Sequence, residues 1–534
     1  MSNRRLKFWG WGFEDTLLSA NEIALLEANY AKHLGVNGFE ATPAPKAEEI
    51  TLRKPRIEIP SSLQNICTTD HYERLLHCYG KSFFDSARAF AREFPNPPDV
   101  IALPHNEQDI VDLLDWCGRE NAVAIPYGGG SSVVGGVEPP SGKYADRPVV
   151  TIDLRNLNQV LEVDQTSHCA RIQGGTFGPA LEAVLKTHDL TLRHLPQSFE
   201  FSTLGGWIVT RGGGHYATLY THIDDLVESI RAVTPAGIME SRRLPGSGAG
   251  PSPDRMLIGS EGTLGIVTEA WMRLRKRPTF RVNTSVRFKD FYQAADCVRA
   301  IAQAHLYPSN CRLVDANEAM LTGAGDGTHH MLVLAFESAD HPVDAWMNRT
   351  LELVVDHGGE YDKQALLSPA GNRKGAAGQW RDSFIRMPYF RENLTARGII
   401  TETFESAITW DRLKDFHSNI MDATHRAIKE VTGHAGVVTC RFSHVYPDGP
   451  APYFSFHAVG DKSRMVDQCW RIKRIASDVL IKHGGTITHH HAVGRDHRTW
   501  YDKQRPDVFA KAFSAAKKAL DPKGTLNPGV LIDP

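Results

Sequence analysis

Three consecutive histidines, His489, His490 and His491, are the residues of this sequence best suited to chemistry. Imidazole has a usual pKa near neutrality, so it can move a proton or offset the charge of an anion. If the chain is extended here, His489 and His491 face one side and His490 the other, and all three cannot easily serve one metal ion. Zinc would need ligands from elsewhere, and the sequence has neither an H-E-x-x-H motif nor paired cysteines. We therefore predict no metal site.

Tyr453 is the second candidate, because it opens a segment with the alternation typical of a strand. A period of two places Tyr453, Ser455 and His457 on one face, with Phe454 and Phe456 on the other. Tyrosine has a usual pKa of about 10, so a role as proton acceptor requires nearby positive charge or a strong hydrogen bond. A half-buried strand without chemistry would show the same alternation.

A glycine-rich segment favours a phosphate-bearing ligand. PYGGGSSVVGG, residues 126–136, directly follows a predicted strand, and its glycines can take positive φ values that let backbone amides converge on an oxyanion. It is not a Walker A loop, because no Gly-Lys-Ser/Thr follows, and Val133 stands where the last glycine of G-x-G-x-x-G would be. An ATPase and an ordinary Rossmann domain are both disfavoured.

Two further segments place small residues and hydroxyls on tight turns. They are LPQSFEFSTLGGWIVTRGGG at 195–214 and GSEGTLGIVTEA at 259–270. Any one of these segments could be an ordinary connection between strands. A dinucleotide needs separate cradles for its phosphates, its sugar chain and its ring edge, so the set of segments favours an extended cofactor.

The elements that must position these residues follow from hydrophobic periodicity and from capping and turn residues. Asn106 can cap a helix whose apolar residues recur at helical spacing over 110–117. We predict further helices over 71–92 and from Thr176 onward. The predicted strands are 100–103, 122–125, 149–154, 159–163, 170–173, 265–274, 331–336 and 453–459. We expect the three strands between 149 and 173 to form a meander.

Composition excludes several classes of function. The chain has 534 residues, enough for two or three domains, and its 41% hydrophobic and 23% charged residues are typical of a globular protein. A formal net charge of −2 gives no basic field, so we expect no nucleic-acid partner. The eight cysteines form no C-x-x-C pair, which is typical of reduced thiols. We see no signal peptide and no apolar stretch of about 20 residues, and expect a cytoplasmic protein with at most peripheral membrane contact.

The glycine-rich segments resemble those of a known family. PYGGGSS, SFEFSTLGG, Thr210-Arg211 and GSEGTLGIVTEA are similar to the FAD-binding elements of vanillyl-alcohol-oxidase type flavoproteins, and LDPKGTLNPG at 520–529 to the C-terminal signature of their FAD-linked oxidase members. The resemblance implies FAD as the cofactor. It assigns cofactor binding to Pro126, Tyr127, Gly128, Gly129, Gly130, Ser131, Ser132, Pro196, Ser198, Ser202, Thr203, Gly205, Gly206, Thr210, Arg211, Glu261, Gly262, Thr263, Leu264 and Ile266.

The resemblance also implies the architecture. We expect an α+β fold, with a two-part FAD-binding domain of the vanillyl-alcohol-oxidase or p-cresol-methylhydroxylase type and an α+β cap domain. The expected divisions are an N-terminal helical extension over 1–95, the FAD-binding domain over 96–278, the cap or substrate domain over 279–475, and a C-terminal helical segment over 476–534 that returns to the flavin site.

Segments outside the flavin domain are similar to the alkyldihydroxyacetonephosphate synthase family. They are KFWGWGFED at 7–15, CRLVD at 311–315, YFRE at 389–392, TCRFSHVY at 439–446 and GGTITHHHAVG at 484–494. In that family the acyl group of acyl-dihydroxyacetone phosphate is exchanged for a long-chain alcohol through a covalent adduct at flavin N5, which yields an ether lipid without net redox change. The resemblance implies that activity, which needs a base, cations for phosphate and an apolar tunnel for two successive alkyl chains.

The same resemblance assigns roles to particular side chains. Tyr453 matches the family's proposed proton acceptor, and Arg391 matches an arginine near the substrate phosphate, for which a guanidinium fork is suited. The residues with an implied catalytic role are Tyr453, His489, His490, His491 and Arg312.

Departures from the family pattern bear on the substrate and the compartment. Thr-Arg-Ala-Ser is Thr-Arg-Gly-Gly at 210–213, and Ala492 replaces the usual glycine after the histidines. The loop at 126–132 has no histidine or cysteine, which favours dissociable FAD, while His215 is a candidate for a covalent link elsewhere. The last four residues, LIDP, are not a Ser-Lys-Leu type peroxisomal signal.

Two alternative functions stay open at this point. An FAD-linked dehydrogenase or oxidase of a 2-hydroxy acid or alcohol would share the flavin domain but remove a hydride. A flavin-binding or lipid-binding scaffold would use none of the residues above for chemistry. The expected partners are small-molecule substrates and, as an option, a second copy of the chain.

Overall fold

The computed structural model describes residues 4–363 and 376–533, without the side chains of 376–385. Its strands form sheets of four, five and seven strands and one two-stranded ribbon. Within the residues described, no helix is both long and apolar enough to cross a membrane. Short 3-10 turns lie at Ala47–Glu49, Ser61–Leu63, Gly142–Tyr144, Phe199–Phe201 and Trp410–Arg412.

The N-terminal segment contains two short helices where one was predicted. Its elements are α1 (Ala20–Leu34), β1 (Cys67–Thr68), α2 (His71–Leu76) and α3 (Phe83–Phe90). The single helix predicted over 71–92 is wrong, because the chain turns at Gly80 to meet the carbonyl oxygen of Ser132. A Cβ at Gly80 would lie 2.2 Å from that oxygen, and the N–H of Lys81 donates to it at 2.6 Å. The break brings this segment to the 126–136 loop.

The four-stranded sheet has a parallel core. Its further elements are β2 (Val100–Ala102), α4 (Glu107–Arg119), β3 (Val123–Tyr127) and β4 (Val149–Asp153). Asn106 caps α4 as predicted, with its side-chain oxygen accepting from the N–H of Asp109 at 3.0 Å. Strand β4 pairs in parallel with both β2 and β3, so the predicted meander is wrong for this strand. All five residues of β4 are buried, which is typical of a parallel strand covered on both faces.

The five-stranded sheet is antiparallel, in the order β5-β6-β10-β8-β9. Strands β5 and β6 form the one hairpin of the predicted meander. The elements of this region, including the ribbon β7–β11, are β5 (Val160–Asp164), β6 (Cys169–Gln173), α5 (Gly178–Lys186), β7 (Leu190–Thr191), α6 (Leu204–Thr210), α7 (Ala217–Tyr220), α8 (Ile223–Leu226), β8 (Val227–Thr234), β9 (Gly237–Glu240), α9 (Asp254–Leu257), β10 (Ile266–Arg273) and β11 (Arg275–Lys276).

The seven-stranded sheet is also antiparallel, in the order β15-β12-β14-β13-β17-β18-β16. Its elements and covering helices are β12 (Phe280–Phe288), α10 (Phe291–Gln303), β13 (Asn310–Val314), α11 (Ala316–Leu321), β14 (His330–Ser338), α12 (Asp344–Asp356), β15 (Glu360–Tyr361), α13 (Ala376–Ala396), β16 (Ile399–Glu405), α14 (Leu413–Thr432), β17 (Val437–Val445), β18 (Pro450–Val459) and α15 (Met465–Lys482).

One face of this sheet is apolar and the other polar. Phe404, Phe454 and Phe456 point into the largest buried cluster, which includes Phe416 of α14 and Ile472 of α15. The strands predicted at 331–336 and 453–459 are confirmed as parts of β14 and β18. Because side chains alternate along a strand, burying the phenylalanines leaves the polar residues of β16, β17 and β18 on the opposite face.

The C-terminal segment returns to the glycine-rich loops. It contains α16 (Arg498–Gln504) and α17 (Asp507–Leu520). After α17, Leu526 forms a parallel bridge with Ala124 of β3. The side-chain amide of Asn527 donates to the carbonyl oxygens of Gly136 and Glu261, each at 3.0 Å. The turn LDPKGTLNP therefore holds two of the glycine-rich segments together.

Candidate active site

One large cavity joins the glycine-rich segments to the polar face of the seven-stranded sheet. All three glycine-rich segments contribute to its wall, as do β16, β17, β18 and the segment after α15. Helices α1 and α13 contribute side chains as well. A single space thus brings together the segments predicted to hold a cofactor and those predicted to do chemistry.

Most residues predicted to bind the cofactor line this cavity, but three do not. Those that line it are Pro126, Tyr127, Gly128, Gly129, Gly130, Ser131, Ser132, Pro196, Ser198, Ser202, Thr203, Gly205, Gly206, Thr210, Glu261, Gly262 and Ile266. The side chain of Arg211 pairs with Asp224 at a second cavity. The hydroxyl of Thr263 donates to the carbonyl oxygen of Ser260. Leu264 lies in the hydrophobic core.

The glycine loop is a cradle in which side chains would not fit. A Cβ at Gly128 would lie 2.2 Å from Thr203 Oγ1, and one at Gly129 would lie 1.9 Å from the carbonyl oxygen of Phe201. Gly130 has a φ of 67°, which favours glycine. Thr203 Oγ1 is buried and has no hydrogen-bond partner among the described residues. Backbone N–H groups without side chains over them, together with the unpartnered hydroxyl of Thr203, are suited to the phosphates and sugar oxygens of a dinucleotide.

Glu261 ties the third glycine-rich segment to the chain just after the histidine triplet. Its two carboxylate oxygens accept hydrogen bonds from the N–H groups of Val493 and Gly494, at 2.8 and 2.7 Å. Burial raises the pKa of Glu261 to about 7, although these bonds and Arg495 oppose the rise. The carboxylate is therefore engaged within the protein and positions the loop that carries the imidazoles.

Neighbouring strands place a cation and an anion beside Tyr453. Across the antiparallel ladders, Tyr453 of β18 lies opposite Arg441 of β17 and opposite Glu405 of β16. The guanidinium of Arg441 lies over the tyrosine ring, with Cζ 3.9 Å from the ring centroid. Tyr453, Ser455 and His457 all line the cavity, so the predicted alternation is confirmed.

The phenol of Tyr453 is protonated at neutral pH. Burial raises its pKa above the usual value, although Arg441, a side-chain hydrogen bond and Arg391 lower it. The positive charge that a phenolate requires is present but does not outweigh burial. Tyr453 can take up a proton only if it passes its own to a neighbouring base. The rings of His490 and His491 offer such bases, with centroids 6.0 and 5.3 Å from that of Tyr453.

The histidine triplet is a bend, so the alternation of an extended segment does not apply. The backbone N–H groups of His489, His490 and His491 all donate to one oxygen, Glu405 Oε1, at 3.2, 2.8 and 2.7 Å. The hydroxyl of Thr488 donates to the same oxygen at 2.9 Å. An extended chain points successive N–H groups to opposite sides and cannot aim three at one atom.

Glu405 is a buried carboxylate that stays ionised. Burial opposes its charge, but the neighbouring imidazoles of His490 and His491 and a hydrogen bond from His490 hold the pKa of Glu405 well below its usual range. Its second oxygen makes a short contact with His490 Nδ1. Burial lowers the pKa of His491 to about 3 and that of His489 well below its usual value, so both imidazoles are neutral at neutral pH. By contacting Nδ1, the ionised carboxylate of Glu405 orients the imidazole of His490, as a carboxylate does for a histidine that acts as a base.

Two buried guanidinium groups form part of the cavity wall. Arg441 Nη1 donates to Glu318 Oε1 at 2.8 Å, and both side chains are almost fully buried. Burial and the proximity of Arg441 lower the pKa of Arg312 to about 9, so Arg312 is still a cation at neutral pH. Buried positive charge at a cavity wall favours an anionic ligand.

Arg391 reaches the cavity from α13 and is anchored by the N-terminal segment. One of its guanidinium nitrogens donates to the carbonyl oxygen of Lys81 at 2.7 Å. The next residue, Glu392, forms a buried ion pair with Lys7 Nζ at 2.5 Å and accepts from the N–H of Trp11 at 3.1 Å. The KFWGWGFED segment thereby fixes the helix that carries Arg391.

The cavity wall includes a set of apolar side chains from outside the glycine-rich segments, which we call its apolar part. The side chains there come mainly from α1 and α13 and are Leu26, Tyr30, Leu321, Met387, Pro388, Phe390 and Leu394. This lining fits a hydrocarbon chain, whereas the polar sheet face fits a phosphorylated or oxygenated group.

A second cavity lies on the other side of the histidine triplet. His489, Tyr446 and His222 border it together with side chains of α16 and α17. His490 and His491 border the large cavity instead. The bend around Glu405 Oε1 thus separates His489 from its two neighbours.

Donor atoms near the triplet lie close enough together to form metal-sized groups. In the described residues these groups, with ligand atoms within 4.8 Å of one another, are His444, His489 and His490, and Glu405, His490 and His491. In both groups His490 Nδ1 is already in contact, with Glu405 in one and with His489 Nδ1 at 3.0 Å in the other. We interpret the groups as one hydrogen-bonded cluster, and the absence of a metal stays a prediction.

The two substitutions that depart from the family pattern have structural counterparts. A Cβ at Gly213 would lie 2.8 Å from the imidazole of His444, so glycine leaves room for a ring that lines the large cavity. Ala492 has a φ of 72°, in the region that favours glycine.

Comparison with known proteins gives the family. A sequence model described as an FAD binding domain matches residues 98–241, and one described as the C-terminal domain of FAD linked oxidases matches residues 277–531. The alkyldihydroxyacetonephosphate synthase of Dictyostelium discoideum is 30% identical over 528 residues, which cover 92% of this chain and 84% of that protein. The chain belongs to the alkyldihydroxyacetonephosphate synthase family.

Other members of the alkyldihydroxyacetonephosphate synthase family agree over the whole chain. The synthase of Trypanosoma brucei brucei is 30% identical over a match that covers 99% of this chain and 92% of that protein. A solved structure of alkyldihydroxyacetonephosphate synthase superposes with a TM-score of 0.81 at 27% identity and covers 98% of both chains. The predicted α+β flavoprotein fold and the prediction of FAD as cofactor are confirmed. Dissociable FAD stays a prediction. In His215, the candidate for a covalent link, Nε2 accepts a hydrogen bond from the side-chain amide of Asn310 at 2.9 Å.

Sequence reasoning assigned no role to several residues that the fold brings to this site. They are Glu405, Arg441, Glu318, His444 and Tyr446. Arg441, His444 and Tyr446 stand in the TCRFSHVY segment, which was recognised without roles for its residues. Glu405 ends an alternating run, ITETFE, which indicates a strand face but not the chain segment that the carboxylate will meet.

Proposed function

We propose that this chain is an alkyldihydroxyacetonephosphate synthase, which exchanges the acyl group of acyl-dihydroxyacetone phosphate for a long-chain alcohol. An ester C–O bond breaks and an ether C–O bond forms, with no net change of oxidation state. Ester and alcohol give ether, fatty carboxylate and one proton. The observation that carries the proposal is one cavity that joins the glycine cradle to a cationic wall and an apolar part.

The cationic wall binds the phosphate of the substrate. Arg391 and Arg312 border the cavity from two different elements, α13 and β13. A guanidinium presents a planar fork of N–H donors that matches two phosphate oxygens at once. Arg441 has its charge balanced by Glu318, so it acts on Tyr453 rather than on the phosphate.

The apolar part of the cavity holds the alkyl chains. The fatty acyl chain occupies it first, and the chain of the incoming alcohol replaces it after the carboxylate has left. Binding either chain there removes apolar surface from water and holds the reacting end at the polar sheet face.

Tyr453 and the imidazoles handle the protons. Tyr453 takes the proton from the carbon that carries the ester oxygen and gives its own phenolic proton to a neighbouring imidazole. His490 is the base that Glu405 orients, and His491 offers a second neutral imidazole beside Tyr453. The same imidazoles donate hydrogen bonds to the departing carboxylate.

The glycine-rich segments hold the cofactor of this reaction. Bound FAD supplies the isoalloxazine ring, the group on which this family relies to replace one substituent of a carbon by another without an external oxidant. The segments at 126–132, 202–206 and 261–262 present backbone and hydroxyl groups for its phosphates and sugar chain. FAD is released when the protein is denatured, because the loop at 126–132 has no histidine or cysteine and His215 Nε2 is engaged by the side-chain amide of Asn310.

A substrate panel followed by flavin absorbance tests the proposal. Acyl-dihydroxyacetone phosphate should perturb the flavin spectrum without reducing a dye, and addition of fatty alcohol should restore it. Bleaching by a 2-hydroxy acid with dye reduction on turnover would favour an FAD-linked dehydrogenase instead. Arg391→Ala should weaken the binding of phosphorylated substrates and leave that of non-phosphorylated analogues unchanged. Arg386→Ala, on the exposed side of the same helix, should affect the binding of neither.

We also propose that the enzyme collects its alkyl substrates from a membrane surface. Leu17 and Leu25 are 76% and 72% exposed, and Leu25 directly precedes Leu26, which lines the apolar part of the cavity. Replacing both exposed leucines by serine should reduce sedimentation with phospholipid vesicles and leave the rate with detergent-dispersed substrate unchanged.

A further inference from the structure

A continuous line of side chains connects the large cavity to the second cavity. His490 Nδ1 lies 3.0 Å from His489 Nδ1, and His489 Nε2 lies 2.7 Å from the hydroxyl oxygen of Tyr446. That hydroxyl makes a short contact with His222 Nε2. We call these four residues, His490, His489, Tyr446 and His222, the relay.

The two ends of the relay open into different spaces. His490 borders the large cavity together with Tyr453. His489, Tyr446 and His222 border the second cavity. The line therefore crosses the wall between the two.

The hydrogen bonds of the relay share one direction. Glu405 is ionised and contacts His490 Nδ1, so that nitrogen carries a proton. His489 Nδ1, which faces the same proton, is then the acceptor, and the proton of His489 lies on Nε2. Nε2–H donates to the oxygen of Tyr446, whose O–H donates to His222 Nε2. Each member accepts from one neighbour and donates to the next, as proton transfer along a chain requires.

The proposed exchange reaction creates a need for such a line. Each turnover releases one proton at neutral pH, because the alcohol loses its hydroxyl hydrogen and the acid leaves as a carboxylate. The apolar part of the large cavity is filled by an alkyl chain at that stage, so water has poor access to the reacting carbon.

We propose that the relay exports this proton from the large cavity to the second cavity. A proton arrives at His490 Nε2, and the proton on His490 Nδ1 moves to His489 Nδ1. The proton on His489 Nε2 then moves to Tyr446, and the Tyr446 proton moves to His222 Nε2. His222 releases the proton of its other nitrogen to water, so one positive charge enters and one leaves. Each imidazole must then return to its starting tautomer, and the Tyr446 hydroxyl to its starting orientation, before the next turnover. His489, Tyr446 and His222 act through His490 and need not touch the substrate.

The first test does not depend on the identity of the reaction. In holoenzyme with ¹⁵N-labelled histidine, NMR should show His490 protonated at Nδ1, His489 at Nε2 and His222 at Nδ1. Tyr446→Phe should shift the resonances of both His489 and His222. A proton on His489 Nδ1, or resonances that do not respond to Tyr446→Phe, would overturn the relay even if the exchange reaction is confirmed.

The second test rests on the proposed function and uses turnover. Tyr446→Phe should slow alcohol-dependent release of fatty acid at least about tenfold, and added imidazole should restore most of the rate by carrying the proton through the second cavity. Tyr501→Phe is the matched control, since Tyr501 also borders that cavity but lies outside the relay. Slowing without rescue, or an unchanged rate, would overturn the proposal. Failure of the wild-type enzyme to exchange acid for alcohol would overturn the proposed function and leave the NMR result to decide the relay.

Discussion

The guanidinium of Arg441 lies over the ring of Tyr453, with its Cζ atom 3.9 Å from the ring centroid, and the two residues are direct partners across strands β17 and β18. Glu318 holds the guanidinium in this place with a hydrogen bond of 2.8 Å. A cation over the ring stabilises negative charge on the phenol, so Arg441 sets how readily Tyr453 can give up its proton.

Replacing Arg441 should therefore impair proton transfer at Tyr453. Arg441→Met should lower kcat at least about a hundredfold and move the pH at half-maximal rate upward, because the largest influence that opposes burial at Tyr453 is then lost and the pKa of Tyr453 rises further. The single variant also leaves Glu318 buried and unpaired, which costs about 3–5 kcal/mol of stability. The double variant Arg441→Met with Glu318→Gln removes that cost. The measurement is kcat of the double variant as a function of pH. A profile equal to that of the wild type would show that the guanidinium of Arg441 has no part in the reaction.

Glu405 should act through its charge as well as through its shape. In Glu405→Gln, one side-chain oxygen can still accept the three N–H groups of the histidine bend, but no anion faces His490. We expect kcat to fall about tenfold to a hundredfold, with a loss of stability of about 1–3 kcal/mol. Glu405→Ala should lose the bend itself and most of the activity. A Gln variant with the wild-type kcat, measured on protein of verified thermal stability, would contradict this role.

The elements around the site were only partly predictable. The alternation of Tyr453, Ser455 and His457 was visible because a strand repeats every two residues within one segment. The partners Arg441 and Glu405 were not, because pairing between strands distant in sequence leaves no local signal. The glycine cradle was predictable from its segments, since glycine is required where the backbones approach within contact distance.

Two differences between expectation and structure have the same physical origin. The alternation considered for the histidine triplet holds only for an extended backbone, but a buried carboxylate from β16 accepts from three successive N–H groups and bends the chain. The meander prediction failed at β4, because a short β-branched run does not say whether its neighbour is parallel or antiparallel. In both places a contact distant in sequence decided the local conformation.

The ion pair between Lys7 and Glu392 should control phosphate binding at a distance. Lys7→Met leaves Glu392 buried without its cation, which costs about 3–5 kcal/mol and loosens the helix that carries Arg391. We expect the KM for phosphorylated substrate to rise several-fold, with a smaller change in kcat. The matched control is the pair of changes Lys7→Met and Glu392→Leu, which leaves no unpaired charge and should recover most of the stability. Unchanged thermal stability in Lys7→Met would contradict the inferred anchoring.

The protein should lose stability on mild acidification. Burial lowers the pKa of several histidines below the usual value of about 6.5, to about 3 for His194, His491 and His497 and to about 4 for His222, His417 and His457. The unfolded chain binds protons at these histidines as the pH falls below about 6.5, whereas the folded chain does not until about pH 3–4. Each such imidazole therefore costs on the order of 1.4 kcal/mol of stability per pH unit in that window.

Buried carboxylates oppose part of this effect. Burial raises the pKa of Glu138 and Asp315 to about 8, of Glu261 to about 7 and of Asp496 to about 6, so these groups favour the folded chain as the pH falls towards their usual values. The buried histidines are more numerous, and we expect the midpoint of urea unfolding to drop between pH 7 and pH 5. A midpoint that rises over this interval would contradict the burial of the imidazoles in their neutral form.

The most direct test of the account is a product balance under anaerobic conditions. Holoenzyme is incubated with acyl-dihydroxyacetone phosphate and a long-chain alcohol, without any electron acceptor, and ether lipid and free fatty acid are quantified together. We predict many turnovers, with ether and acid formed in equal amounts, and loss of both in Tyr453→Phe. Product formation that stops after one molecule per enzyme, or that proceeds only when an electron acceptor is supplied, would contradict the synthase activity. Either result would indicate a flavin oxidoreductase instead.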